Sequence, residues 1–155
     1  MAHTKTTEDT GTVRFSVSME PELLARFDES LADAGYESRS KALRDLVRAR
    51  LADQALESPQ AEAVGVLTYI YNHDSAGLAR KLMRLEHEHH AETVSTVHIH
   101  LDRHSCLEVL IMRGRAGRLR ALADRLSATR GVRQGRLALA PAVCPLAREH
   151  HHNRP

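Results

Sequence analysis

Cysteine is scarce in this chain. Its 155 residues carry two, Cys106 and Cys144, too few for a disulfide scaffold. No apolar run reaches the length needed to span a bilayer, and the opening Met1-Ala2-His3-Thr4-Lys5 lacks the pattern of a secretory leader. A cytoplasmic protein without membrane contact is the expectation, and reducing cytosol would keep Cys106 as a thiol. An excess of one charge is missing too. The formal net charge is +2, too small to announce a nucleic-acid binder, so the placement of charge matters more than its sum. No internal repeat, phosphate loop or nucleophile motif stands out, and Glu108 is the only obvious general base for a metallohydrolase. The chain is therefore not expected to be an enzyme.

What the chain has in excess is histidine. His87 to Cys106, HEHHAETVSTVHIHLDRHSC, packs six histidines and one cysteine into twenty residues. In Thr96-Val97-His98-Ile99-His100-Leu101, apolar residues alternate with Thr and His. A strand there turns both imidazoles to one face and Val97, Ile99 and Leu101 to the other. Residues 101–105 read as a turn. Cys106 to Met112 reads as the returning strand, with Leu107, Val109 and Ile111 on its apolar face and Cys106 and Glu108 on the opposite one. If His100 pairs opposite Cys106, then His98 falls opposite Glu108, and the neighbouring side chains can share one ion.

Two imidazoles and a thiolate are one donor short of a four-coordinate site. The nearest supply is His87, His89 and His90, at the end of a helix that starts near Ser75 and carries Leu78, Leu82, Met83 and Leu85 on its apolar side. His89, His90 and His104 read as solvated or supporting neighbours rather than ligands. A nitrogen-rich site with one thiolate suits nickel, copper or zinc, and the donors alone do not choose among them.

The chain divides in two. After a polar leader (residues 1–11), Thr12 to Met19 alternates as a strand, with Val13, Phe15, Val17 and Met19 inward and Arg14, Ser16 and Ser18 outward. Pro21 stands at a first helical position, Leu23, Leu24, Phe27 and Leu31 form a stripe, and Gly35 stops the helix. Ser38 or Ser40 can cap a second helix bearing Ala42, Leu43, Leu46, Val47 and Leu51. One strand and two helices cannot close a core, so this unit (12–52) needs a second copy, most simply joined through the strand. It resembles the ribbon-helix-helix DNA-binding family over VRFSVSMEPELLARFDESLADAGYESRSKALRDLVRARL. Arg14 can offer a fork to guanine and Ser16 and Ser18 can bond base edges. The helix start around Ser38, Arg39 and Ser40 can meet a phosphate.

Beyond a linker at 53–63, residues 64–141 read as strand, helix, strand, strand, helix, strand: a ferredoxin-like β-α-β-β-α-β domain in an α+β protein, followed by an irregular tail at 142–155. With both halves present, the chain resembles the nickel-responsive regulator family, NikR. The resemblance rests on the ribbon-helix-helix unit fused to an ACT-type domain, on the His-rich helix end followed by His98-x-His100 and Cys106, and on Arg130-Gly131-Val132-Arg133-Gln134-Gly135. It implies square-planar Ni(II) held by His98, His100 and Cys106 of one chain and His87 of another, with Glu108 steadying the ligands and Arg14, Ser16 and Ser18 reading bases. It also implies a homotetramer, a dimer of dimers on a palindromic double-stranded DNA operator, and a repressor of nickel-uptake genes. Lys41 stands where a carboxylate of a second cation site would be, so no second site is expected, although Asp45 remains. A sensor of copper, cobalt or zinc, or a nickel storage or delivery protein, are the rival readings.

Overall fold

The computed structural model describes residues 13–142, so the leader and most of the tail, Cys144 and His150 to His152 included, lie outside the described residues. Two compact units appear, the first ending at Arg44 and the second beginning at Asp45.

In the first unit, helix α1 (Pro21–Asp33) starts on Pro21, whose missing N–H costs nothing at a helix start, and has Glu22 in its first turn. It ends through Gly35 at φ +70, while the Tyr36 amide closes onto the Leu31 carbonyl at 2.9 Å. Helix α2 (Arg39–Glu57) is capped by Ser38, whose Oγ accepts the Lys41 amide at 3.3 Å, which decides between Ser38 and Ser40. The Arg39 guanidinium forks onto both carboxylate oxygens of Asp28 at 2.7 and 2.6 Å and joins the two helices, holding that carboxyl below its usual range. The Lys41 ammonium sits over the Tyr36 ring, 4.9 Å from its centroid.

The strand expected over 12–19 needs a second copy, and in the single chain its described part, 13–19, forms no strand. A strand exists only as one side of a hydrogen-bonded ladder, and no described strand pairs with this segment. Val13 is 86% exposed and Phe15 74%, the opposite of inward. The 53–63 linker is corrected. Residues 53–57 continue α2, Leu56 is buried in the second unit's core, and strand β1 (Glu62–Asn72) already begins at Glu62, which leaves only a short turn.

The second unit follows the expected order: β1, α3 (Leu78–Glu88), β2 (Thr93–His100), β3 (Ser105–Arg115), α4 (Ala116–Ser127) and β4 (Val132–Pro141). Its sheet order is β2-β3-β1-β4, with every neighbouring pair antiparallel. One face packs Leu67, Tyr69, Leu110 and Met112 against Leu78 and Leu82 of α3 and Leu119, Leu122 and Leu126 of α4. Each fully buried Leu contributes about 1.5–3 kcal/mol. Met83, expected on the apolar stripe of α3, faces solvent instead.

The helix-covered face is the one that carries Cys106 and Glu108. The apolar faces of the hairpin strands, Val97 and Ile99 on β2 and Leu107, Val109 and Ile111 on β3, lie on the open side with Val64, Val66 and Ile70. The exposed members of that set form an apolar patch of the kind a soluble monomer rarely shows.

Gly131 turns the chain from α4 into β4 at φ +99, and a Cβ there would stand 2.7 Å from Leu78 Cδ2. Gly131→Ala should therefore cost about 1–3 kcal/mol of stability, read as a lower denaturant midpoint with an unchanged slope.

Candidate metal centre

The β2–β3 hairpin sets the site. Asp102 Oδ1 accepts the amides of His104 and Ser105 at 2.8 Å each, and Leu101 N–H donates to the Ser105 carbonyl at 2.9 Å. These two backbone bonds hold the Asp102 carboxyl below its usual range and lock the turn. The resulting register pairs His98 with Glu108 and His100 with Cys106, which meets the condition that the sequence left open. Because β2 is an edge strand, its two imidazoles stay exposed while Cys106 and Glu108, one strand inward, are buried.

His98 Nδ1 lies 2.8 Å from Glu108 Oε2. An ionised carboxylate only accepts, so the proton sits on Nδ1 and Nε2 keeps a free lone pair, the arrangement that prepares an imidazole for a metal. His100 Nδ1 lies 3.3 Å from Cys106 Sγ, and the His98 and His100 rings meet edge to face at 4.8 Å between centroids. Burial, aided by the negative charges of Glu108, Asp102 and Asp74, pushes the Cys106 thiol up. Tyr71 turns its ring edge-on to His98, and burial next to Glu108 pushes its phenol up to about 12, which keeps it neutral.

One residue was missed from the sequence. His73 follows β1 directly, and its Nδ1 lies 3.1 Å from Cys106 Sγ. The donor atoms of His73, His100 and Cys106 all fall within 4.8 Å of one another. The available signal was topological: β1 is central, and its Tyr71 pairs with Cys106, so the next turn of β1 must arrive beside the thiol. His73 Nε2 also approaches Asp74 Oδ1 at 3.3 Å, and Asp74 holds His104 through its other oxygen.

His87 is not part of this group. It is exposed on the last turn of α3. His90 is exposed as expected, but His89 is not a solvated neighbour: its ring is mostly buried and meets Arg125 at 3.0 Å. Arg14, Ser16 and Ser18 are exposed on the segment before α1, and Ser40 is exposed in the first turn of α2. Arg39 is exposed at the start of α2, and its guanidinium is engaged by Asp28.

The donor set fits a borderline transition cation: imidazole nitrogens with open lone pairs, one thiol that can become a thiolate, and a carboxylate that orients a ligand. A two-helix unit preceded by a segment that exposes an arginine and two serines, in one chain with a ferredoxin-like domain carrying such a cluster, points to a metal-responsive DNA-binding regulator. Residues 64–140 match the family model of the NikR C terminal nickel binding domain, and residues 13–54 match that of the ribbon-helix-helix protein, copG family. Curated relatives are named "Putative nickel-responsive regulator". That of Lawsonia intracellularis is 46% identical over 130 residues, covering 84% of this chain and 94% of its own. That of Pyrococcus furiosus is 43% identical, covering 83% and 94%, and that of Caldanaerobacter subterraneus 42%, covering 83% and 84%. The chain belongs to the nickel-responsive regulator family.

Burial pushes the Cys106 thiol up, so a cation that took Cys106 as a ligand would have to displace its proton. Proton and metal then compete, and lowering the pH weakens binding. Apparent nickel affinity should rise by roughly tenfold per pH unit on account of this one proton. Uptake in weak buffer should acidify the solution, and Cys106→Ala should remove that part of the proton release.

Proposed function

We propose that the protein represses nickel-uptake genes in the cytoplasm by binding a palindromic operator when Ni(II) is plentiful. The ion is held by His98, His100 and Cys106 of one copy and His87 of another. The observation that carries this reading is the hairpin register, which sets two imidazoles opposite the carboxylate and the thiol while leaving His87 exposed on α3.

Two surfaces support an assembly of several copies. The segment before α1 exposes Val13, Phe15 and Val17 and has no strand beside it, so a second copy would complete an antiparallel ribbon. The open sheet face exposes Val64, Val66, Val97, Ile99 and Ile111, which suits packing against other copies into a dimer of dimers. A nickel ion bound by His98, His100 and Cys106, on the other face of the hairpin, supplies a link between copies that favours the arrangements able to present His87 to it. Within the chain, Glu108 sets the tautomer of His98, Arg14 with Ser16 and Ser18 reads base edges, and the start of α2 around Ser38, Arg39 and Ser40 offers backbone N–H groups to a phosphate. The Asp28 pairing leaves the Arg39 amide, rather than its guanidinium, for that contact.

A second reading has an observation of its own: His73 Nδ1 at 3.1 Å from Cys106 Sγ offers an additional imidazole from within the same chain. Removing each histidine separates the two. Nickel titration with retardation of operator DNA should show nickel dependence lost in His98→Ala, Cys106→Ala and His87→Ala and retained in His73→Ala; the reverse order for His87 and His73 would favour the single-chain set. Glu108→Gln should weaken nickel binding by about 10–100-fold. Arg14→Ala should cost about 1–3 kcal/mol of operator affinity while leaving the metal titration unchanged.

A further inference from the structure

The turn between α3 and β2 holds a buried carboxylate that the metal centre does not use. Glu92 is 3% exposed, and its Oε1 meets Arg118 Nη2 of α4 at 2.6 Å. Its Oε2 has no hydrogen-bond partner among the described residues and faces His89 Nδ1, equally unpartnered, across 3.8 Å. On the other side of that ring, Arg125 Nη1 lies 3.0 Å from His89 Nε2, while Arg125 Nη2 reaches Glu88 Oε2 at 3.2 Å. A guanidinium can only donate, so His89 Nε2 is the acceptor and its proton sits on Nδ1, aimed at Glu92. That tautomer has no nitrogen free for a metal. His89 is therefore built as a strut and not as a ligand.

Two arginines of α4 thus hold Glu88, the last residue of α3, and His89 and Glu92 of the turn that follows it. The backbone adds to the hold: Arg113 N–H donates to the Glu92 carbonyl at 2.8 Å. On the helix side of the turn, Tyr69 of β1 donates to Glu86 Oε1 at 2.9 Å, and burial pushes the Glu86 carboxyl up. His87 sits between two residues, Glu86 and Glu88, whose side chains are tied to different elements, while its own ring is exposed. A ligand offered to another copy loses affinity if it must first be ordered, and anchoring the residues on either side lowers that cost.

We propose that Arg125, His89, Glu92 and Arg118 form a latch that sets the direction of His87, which makes Arg125 and His89 positioning residues for nickel binding. The inference rests on the reading that His87 donates to nickel. The test is a double-mutant cycle on the full chain, with Ni(II) titration followed by the nickel–thiolate absorption band and, separately, the unfolding midpoint of the metal-free protein. Arg125→Ala should weaken nickel affinity by about tenfold, as loss of outer partners does, with the band position kept. The same substitution in a His87→Ala background should add nothing, since the residue it orients is gone. His89→Gln serves as a second variant if Arg125→Ala fails to fold.

Equal losses in both backgrounds, or an unchanged affinity in the single variants, would overturn the latch while leaving His87 as a ligand. An unchanged affinity in His87→Ala alone would instead overturn the donor assignment, and the latch with it.

Discussion

The pairing of β2 with β3 in one particular register is the constraint on which the rest depends. Side chains alternate along a strand, so a slip of one residue would carry His98 and His100 to the open face and bring Val97 and Ile99 against the buried acid and thiol. Asp102 prevents the slip by holding two amides of the turn, at the point where the register is decided. With the register set, a rigid support presents imidazole beside thiol and imidazole beside carboxylate. The metal chemistry follows from that juxtaposition and not from the number of histidines.

Carboxylates on the covered side of the sheet show how this chain manages buried charge. Glu86, Glu92 and Glu108 each have a specific partner: the Tyr69 hydroxyl, the Arg118 guanidinium and the His98 ring. Burial raises the cost of an ionised group, and a well-placed donor offsets it. Two of these pairs also set a direction, Glu108 that of the His98 lone pair and Glu86 that of the helix end carrying His87. Burial, with negative charge nearby, pushes the Cys106 thiol up, so the chain alone does not carry a buried, uncompensated thiolate there.

Both units leave apolar surface open, for different reasons. Among its described residues the first buries only Leu31 and Ala42 of its hydrophobics, because so small a unit offers too little material to cover itself. The second has a complete core on one side of its sheet and a bare face on the other. A site split between copies, as proposed above, would couple these surfaces. An ion bound there would favour whichever arrangement of copies brings the donors together, and anything that favours the same arrangement would favour the ion in return.

Much of this was readable in the residues. Period-two alternation gave the hairpin and its faces, and Pro21 and Gly35 marked the ends of α1, since each of these is a local rule of geometry; the pairing of His98 with Glu108 and His100 with Cys106 followed only once the register was known. The alternation could not say which face the helices would cover, because both faces of β3 are largely apolar and the choice depends on where α3 and α4 return. Nor could it find His73, which is distant in the chain and reaches the thiol only because β1 lies between β3 and β4. His89 looked like one more solvated imidazole until α4 brought Arg125 to it. Donor types, element order and strand faces are properties of neighbours along the chain, so the sequence determined them; the hairpin register, the buried side of the sheet, the extra imidazole and the arginine hold on the α3–β2 turn depend on contacts across segments, and only the tertiary structure decided those.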